Sequence, residues 1–239
     1  MVAKLGSMKT TTLLRAGFAL ALALPVAAFA ANVPQTFTAT YNVLQGDSPL
    51  GTATIHLAPA GGGQFVYTNQ SKGTAGLAAM LGVSASETSR FTWAGNVPQL
   101  VSYTYAMEGF KLKTRDVTVQ GATVQVQDNK KSYSYPVQPG MVDRNTLPLA
   151  LGVALGAGKK DITMPVAVKQ AVESQQFKAA GNEQVKVTAG TFNAVRVDRV
   201  DEKKGFTAWY VPAKYPVPVK LAQTDGGDLT LELVSYSTK

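Results

Sequence analysis

The sequence predicts a mainly β protein: an antiparallel, strongly curved sheet or barrel-like fold with one or two short helices. Apolar and polar residues alternate along most of the chain, which is the pattern of strands that bury one face. Turn signals rich in Gly, Asn and Asp separate these runs at short intervals. Such intervals leave no room for the helices that connect parallel strands. Because about a dozen strands exceed what one flat sheet accommodates, we expect strong curvature.

Residues 1–30 have the pattern of a secretory signal peptide. Two cations precede an apolar run over residues 16–28, which is shorter than the ~20 apolar residues of a membrane span. The run ends in an Ala-Phe-Ala motif at residues 28–30, the small-x-small pattern at which signal peptidase cleaves. We therefore expect cleavage after about Ala30, with residues 1–7 as a possible N-terminal extension.

The first half of the remaining chain contains eight alternating segments. They lie at residues 36–43, 50–58, 64–71, 86–93, 99–107, 110–119, 122–127 and 132–137. The turns between them contain glycine, asparagine or aspartate, residues that tolerate or preset turn geometry. The segments are therefore predicted to pair as antiparallel neighbours.

The second half repeats this pattern after residue 160. Its six segments lie at residues 161–168, 184–188, 192–201, 205–211, 217–223 and 229–236. Residues 189–190 and 225–228 read as hairpin turns. Pro216 and Pro218 have no backbone N–H group to donate to a neighbouring strand. Their segment is therefore confined to a sheet edge or an irregular stretch.

Two segments break the β pattern and predict short helices or loops. Residues 73–83 are small and apolar without alternation, and residues 145–155 contain leucines at helix-compatible spacing. Asp143 precedes the second segment and is predicted to cap the helix or form a turn. Because no linker or repeat divides the chain, residues 31–239 are expected to form a single β domain.

Composition excludes several kinds of site. The chain has no cysteine and one histidine, so neither a disulfide nor a structural zinc site is expected. No calcium loop or phosphate loop is present, and we expect no metal or cofactor. The formal net charge is +8, but no block of Lys and Arg suggests nucleic-acid binding. The surplus of cations favours anionic envelope material instead.

Several segments resemble the DUF3108 family of exported bacterial proteins of unknown function. The likeness is carried by GNEQVKVTAGTFNAVRV at 181–197, AWYVPAKYPVPVKLA at 208–222 and LTLELVSY at 229–236. VDRNTLPLAL at 142–151 and the alternation at 37–51 fit the same family. The resemblance covers nearly all of the chain after the leader, and implies a secreted or periplasmic β-rich protein. It supplies no active-site residues.

A cationic stripe is one candidate binding surface. Lys111, Lys113 and Arg115 occupy alternate positions of one predicted strand, so all three are expected to project from one face. A solvated outer face or a protected sheet edge explains this pattern. The alternative is a contact for anionic headgroups or phosphorylated glycan, since Arg and Lys suit phosphate.

Aromatic residues form a second candidate surface, made of Tyr103, Tyr105, Tyr133, Tyr135, Trp209 and Tyr210. They are suited either to cross-strand packing or to lining a sugar or acyl-chain groove. Leu77 and Met80 belong to a short apolar segment that we expect to cover such a groove or to plug the end of a barrel.

Catalytic signatures are weak. His56, the only histidine, alternates with threonines on a predicted solvated face, and no Gly-x-Ser-x-Gly motif accompanies it. A carboxylate pair for glycan hydrolysis would have to come from the acids of the second half. The candidates are Asp143, Glu183, Asp198, Asp201 and Glu202.

The leading hypothesis is a periplasmic, non-enzymatic envelope protein that binds an amphipathic ligand, a lipid or lipid-linked glycan, in a β concavity. Its ligand-binding residues would be Lys111, Lys113, Arg115, Tyr103, Tyr105, Leu77, Met80 and Trp209. The alternatives are a module that binds envelope proteins or peptidoglycan, and a carboxylate-dependent glycan hydrolase. The sequence predicts no membrane span after signal cleavage, and it leaves the oligomeric state open.

Overall fold

The computed structural model describes residues 1, 33–201, 205–224 and 227–239. The predicted signal peptide and the tip at 202–204 lie outside the described residues, as does part of the predicted turn at 225–228. One compact unit comprises Ala31–Lys239. Among the helices of the described residues, none is long and apolar enough to cross a lipid bilayer.

The described part of the chain contains fifteen strands and two helices. The first half consists of β1 (Phe37–Gln45), β2 (Ser48–Gly61), β3 (Gln64–Gly73), α1 (Gly76–Met80), β4 (Ser84–Ala94), β5 (Val97–Glu108), β6 (Lys113–Gln120), β7 (Thr123–Asp128) and β8 (Lys131–Pro136). The second half consists of β9 (Val142–Asp143), α2 (Leu147–Gly156), β10 (Asp161–Ala167), β11 (Val172–Val187), β12 (Gly190–Arg199), β13 (Phe206–Tyr210), β14 (Lys220–Gln223) and β15 (Leu229–Thr238). Helix α1 lies within the predicted segment 73–83, and α2 ends one residue beyond the predicted segment 145–155.

All fifteen strands belong to one sheet, ordered β8-β7-β6-β5-β4-β3-β2-β1-β15-β14-β13-β12-β11-β10-β9. Neighbouring strands are antiparallel except β9 and β10, which are parallel. β1 pairs with β2 on one side and with β15 on the other, so two meanders join through the first and last strands. The prediction of a mainly antiparallel, strongly curved β fold is confirmed.

The sheet curves round on itself without closing into a continuous ladder. Leu100 in β5 donates one backbone hydrogen bond to the Met141 carbonyl, just before β9, at 2.8 Å. This bond brings a strand of the first meander against the edge of the second. The curvature therefore creates an enclosed concave side.

Helix α2 fills one end of that concave side. Leu149 and Leu151 are fully buried, and Leu149 belongs to the same core cluster as Phe37 and Leu57 of the sheet. A Cβ atom on Gly152 would lie 2.1 Å from the Pro216 carbonyl oxygen. A helix that is apolar on every side is stable only when it is enclosed, and here the sheet encloses it.

Several strand boundaries differ from the prediction, among them those of β11 and β6. The sequence predicted only residues 184–188 as strand, whereas β11 spans Val172–Val187. The first part of β11 is rich in Gln, Glu and Ala, which do not favour strands. Its backbone pairing with β10 and β12 overrides that low strand propensity. The predicted strand at 110–119 is also too long: β6 begins at Lys113, so the prediction that Lys111 lies on the same strand was wrong.

Pro216 and Pro218 lie in the irregular stretch between β13 and β14, as predicted.

Candidate ligand-binding cavity

A cavity of about 600 Å³ occupies the part of the concave side that α2 leaves open. This is within the range of about 300–1,000 Å³ that small-molecule sites occupy. Strands of both meanders line it, and the N-terminal turn of α2 contributes Leu147 and Pro148. Since antiparallel strands alternate their side chains, every second residue of these strands reaches the concave side.

The walls are mostly apolar. They include Val43, Ile55, Val166, Leu221 and Leu231. Among the described residues, the charged ones in the lining are four cations, Lys72, Lys113, Arg144 and Arg199, and one carboxylate, Glu87. The cavity therefore combines an apolar surface with an excess of positive charge.

Arg144 is the centre of a polar cluster on the cavity wall. Its Nε donates to Glu87 Oε2 at 2.8 Å and to the Tyr103 hydroxyl at 2.8 Å. The Tyr103 hydroxyl donates to the same carboxylate oxygen at 2.6 Å. The guanidinium carbon lies 4.5 Å from the centre of the Tyr105 ring. We call these four residues the Arg144 cluster.

The Arg144 cluster keeps its cation charged and accessible. Burial opposes the charge of Arg144, but the adjacent Glu87 carboxylate outweighs this effect and raises the arginine pKa. Burial, reinforced by Glu87, also raises the pKa of Tyr103, which stays protonated. The Arg144 side chain is 49% exposed, and it lines the cavity. Both bonds it donates come from Nε, so within the described residues Nη1 and Nη2 are available to a ligand.

The turn before α2 positions Arg144. The buried Asp143 carboxylate accepts hydrogen bonds from the backbone N–H groups of Asn145 and Thr146 at 2.8 and 3.0 Å. It also accepts one from Ser89 Oγ at 2.9 Å, which ties the turn to β4. Burial raises the pKa of Asp143, and these donors oppose that shift. The prediction that Asp143 forms a cap or turn is confirmed.

Tyr67 lies on the cavity wall near this turn. Asn145 Nδ2 donates to its carbonyl oxygen at 3.2 Å. Its hydroxyl is buried and has no hydrogen-bond partner among the described residues. Burial raises the pKa of Tyr67, so the hydroxyl remains a donor. An unpaired buried hydroxyl is unfavourable by about 1–3 kcal/mol.

The structure brings together some of the residues predicted as ligand contacts. Tyr105 and Lys113 line the cavity, and Tyr103 is buried in the Arg144 cluster. Arg115 instead forms an ion pair with Asp128, its Nε lying 2.9 Å from Oδ1. That arginine therefore stabilises the contact between β6 and β7.

The remaining predicted contacts lie outside the cavity lining. Lys111 is exposed in the turn between β5 and β6, and Leu77 and Met80 are exposed on α1. Trp209 lies on the face of β13 opposite its buried neighbours, and its Nε1 donates to Glu183 Oε2 at 2.8 Å. Tyr135 and Tyr210 donate to backbone carbonyls and belong to the core.

The acids considered for catalysis do not meet in the cavity. Glu183 and Asp198 both pair with Arg196, and Asp201 pairs with Arg199. Glu202 lies outside the described residues. His56 lies within hydrogen-bond distance of Thr38, with Nδ1 and Oγ1 3.0 Å apart, and is absent from the cavity lining.

Sequence reasoning missed Arg144 and Glu87 as site residues. One signal was available, because Arg144 is the lone charge between Asp143 and Lys159. A single cation next to a wholly apolar helix is favourable only if it has a specific partner. Glu87 carries no comparable signal, since it lies in a strand rich in Ser and Thr.

Comparisons with known proteins support the fold. The sequence model described as "Protein of unknown function (DUF3108)" matches residues 36–234. No curated protein matches the chain. Among solved structures, the chain is similar to a beta-barrel-like protein of the domain of unknown function DUF1849 from Brucella abortus, with a TM-score of 0.50 and 11% identity. That match covers 86% of this chain and 98% of the other, and it bears on the fold alone.

Proposed function

We propose that this chain, which belongs to the DUF3108 family of proteins of unknown function, is a non-enzymatic envelope protein that holds an amphipathic anion in its concave side. The observation that carries the proposal is Arg144, whose half-exposed side chain lines an otherwise mostly apolar cavity of about 600 Å³. A lipid or lipid-linked glycan with a carboxylate or phosphate combines the two required chemistries.

The headgroup would lie against the Arg144 cluster. A guanidinium offers two parallel N–H donors that match the geometry of a carboxylate or phosphate. Glu87 and Tyr103 occupy only Nε, so the cluster orients the guanidinium without blocking its terminal nitrogens. The apolar walls would accept the rest of the ligand, where burial contributes roughly 25 cal/mol per Å².

The position of helix α2 on the concave side of the sheet supports the same proposal. Helix α2 occupies one end of the concave side, and the space that remains begins at its first turn, where Leu147 and Pro148 line the cavity. The ligand would therefore enter from the opposite end and stop at α2.

We place this function in the periplasm. The proposal relies on the signal-peptide pattern of residues 1–30 and on the absence of cysteine, which rules out lipid attachment to a cysteine. Fractionation of cells that express the full chain tests it: the mature protein should appear in the periplasmic fraction without its leader. Retention of the whole chain in the cytoplasm would contradict it.

Native mass spectrometry with lipid extraction tests ligand binding. Protein purified from the periplasm is expected to carry an extractable lipid in the wild type and to lose it in Arg144→Gln. Arg196→Gln is the control, because Arg196 is likewise an ion-paired arginine, bonded to Glu183 and Asp198, but lies outside the cavity lining. Absence of any lipid in the wild type, or equal retention by Arg144→Gln, would contradict the proposal.

A further inference from the structure

Five large apolar side chains are exposed on two neighbouring connections at one end of the sheet. The connections are residues 74–83, which include α1, and residues 109–112. The side chains are Leu77, Met80, Leu81, Phe110 and Leu112, each between 46% and 82% exposed. We call this surface the apolar tip. In the described part of the chain, the other exposed large hydrophobic residues are Met1 and Val200, so five of the seven such residues lie in the apolar tip.

The two connections form one surface. The strands from which they extend are paired, with Ser84 opposite Glu108. A Cβ atom on Gly109 would lie 2.7 Å from Val83 Cγ2, so the second connection packs against the end of the first. Backbone hydrogen bonds from Gly73 to Val83 and from Val83 to Ala78, at 2.8 and 2.9 Å, hold the first connection in place.

Cations surround the apolar tip. Lys72, Lys111 and Lys113 are exposed, and Glu108 is the single acid of the two connections and their flanking residues. An apolar surface bordered by lysines matches an anionic bilayer, because apolar side chains enter the acyl boundary while ammonium groups stay at the phosphates. A contiguous exposed apolar patch of this kind is unusual for a protein without a partner.

We propose that the apolar tip docks on the surface of a bilayer that contains anionic lipids. Helix α1 has five residues, so the contact is shallow and does not cross the bilayer. Ala78, Val83, Met107 and Lys113 line the cavity next to the tip. Docking would therefore turn the cavity mouth towards the lipid. The proposal stands on the tip alone and does not depend on the ligand proposed for the cavity.

Co-sedimentation with vesicles tests the proposal. The mature chain is expected to bind phosphatidylcholine vesicles that contain phosphatidylglycerol, and to bind pure phosphatidylcholine vesicles more weakly. Met80→Ser combined with Phe110→Ser should weaken binding at least about tenfold, because two inserted side chains are lost. Lys111→Gln should weaken binding to the anionic vesicles by about fivefold. All three residues are exposed, so the variants should keep the wild-type circular dichroism spectrum.

Control variants outside the apolar tip show whether a loss of vesicle binding is specific to the tip. Val200→Ser removes an exposed apolar residue outside the tip, and Lys186→Gln removes an exposed cation elsewhere; both should bind vesicles as the wild type does. Absence of vesicle binding by the wild type, or unchanged binding by the Met80/Phe110 variant, would overturn the proposal and assign the tip to a protein partner.

Discussion

Arg144 Nε donates a hydrogen bond to Glu87 Oε2 at 2.8 Å, and this bond connects the turn before α2 to strand β4. The two residues meet because α2 packs against β5, which is paired with β4. The bond holds a cation on the wall of a mostly apolar cavity through its Nε atom. Arg144 is therefore held by Glu87 from β4 and by Tyr103 from β5.

Replacement of Arg144 by methionine should destabilise the fold as well as the site. Glu87 is 14% exposed and would lose its cationic partner, so we expect a loss of about 1–3 kcal/mol in the free energy of unfolding. Urea denaturation measures this change. Arg196→Met is the control, since its partners are more exposed, and it should have little effect. Equal losses in the two variants would contradict the proposed role of the Arg144 cluster.

Gly152→Ala should destabilise the protein although alanine favours helix. The new Cβ would lie 2.1 Å from the Pro216 carbonyl oxygen, so α2 must shift, at about 1–3 kcal/mol. Gly156→Ala is the matched control in the same helix, because its nearest neighbour would be 4.0 Å away. That variant should gain up to about 1 kcal/mol from helix propensity. Thermal unfolding of both variants measures the difference, and a stabilised Gly152→Ala would show that α2 is not enclosed.

Asp128 should make stability depend on acid pH. Burial opposes its charge, but hydrogen bonds from Lys169 and Arg115 outweigh burial and lower the pKa of Asp128. Because its pKa is lower in the folded state, ionised Asp128 contributes to the free energy of unfolding. This contribution is complete above the pKa of the unfolded state, about 3.9, and is lost as the pH falls through the pKa of the folded state. The wild type should therefore lose stability below about pH 4 more steeply than Asp128→Asn does.

Urea denaturation over a series of acidic pH values checks this difference. Asp161→Asn serves as the control, because it removes an exposed carboxylate without breaking the contact between Asp128 and its two cations. A wild-type profile that coincides with that of Asp128→Asn would show that the Asp128 pairs do not contribute to stability.

The sequence predicted the strands and helices because their signals are local. Alternation marks strands wherever one face is buried, and the apolar segments around α1 and α2 interrupt it. Alternation does not tell which of the two faces is inside, because that depends on pairing with distant strands. For this reason Tyr105 and Lys113 were predicted as ligand contacts and line the cavity, whereas Trp209 lies on the outer face of β13.

The Arg144 cluster could not be predicted because it is non-local. Glu87 and Arg144 are 57 positions apart, and their contact requires α2 to pass between the two meanders. Lys111 illustrates a smaller limit: the predicted strand began at residue 110, three residues before the observed start of β6 at Lys113. Boundaries of this kind depend on how the turn packs, here on the contact between Gly109 and Val83.

The most direct measurement compares native mass spectra of the wild type and a variant with a filled cavity. Ala85 lines the cavity and Ala94, on the same strand, does not. We expect a lipid adduct on the wild type and on Ala94→Trp, and none on Ala85→Trp. An adduct of equal abundance on all three proteins, or on none of them, would contradict binding of an amphipathic ligand in the cavity.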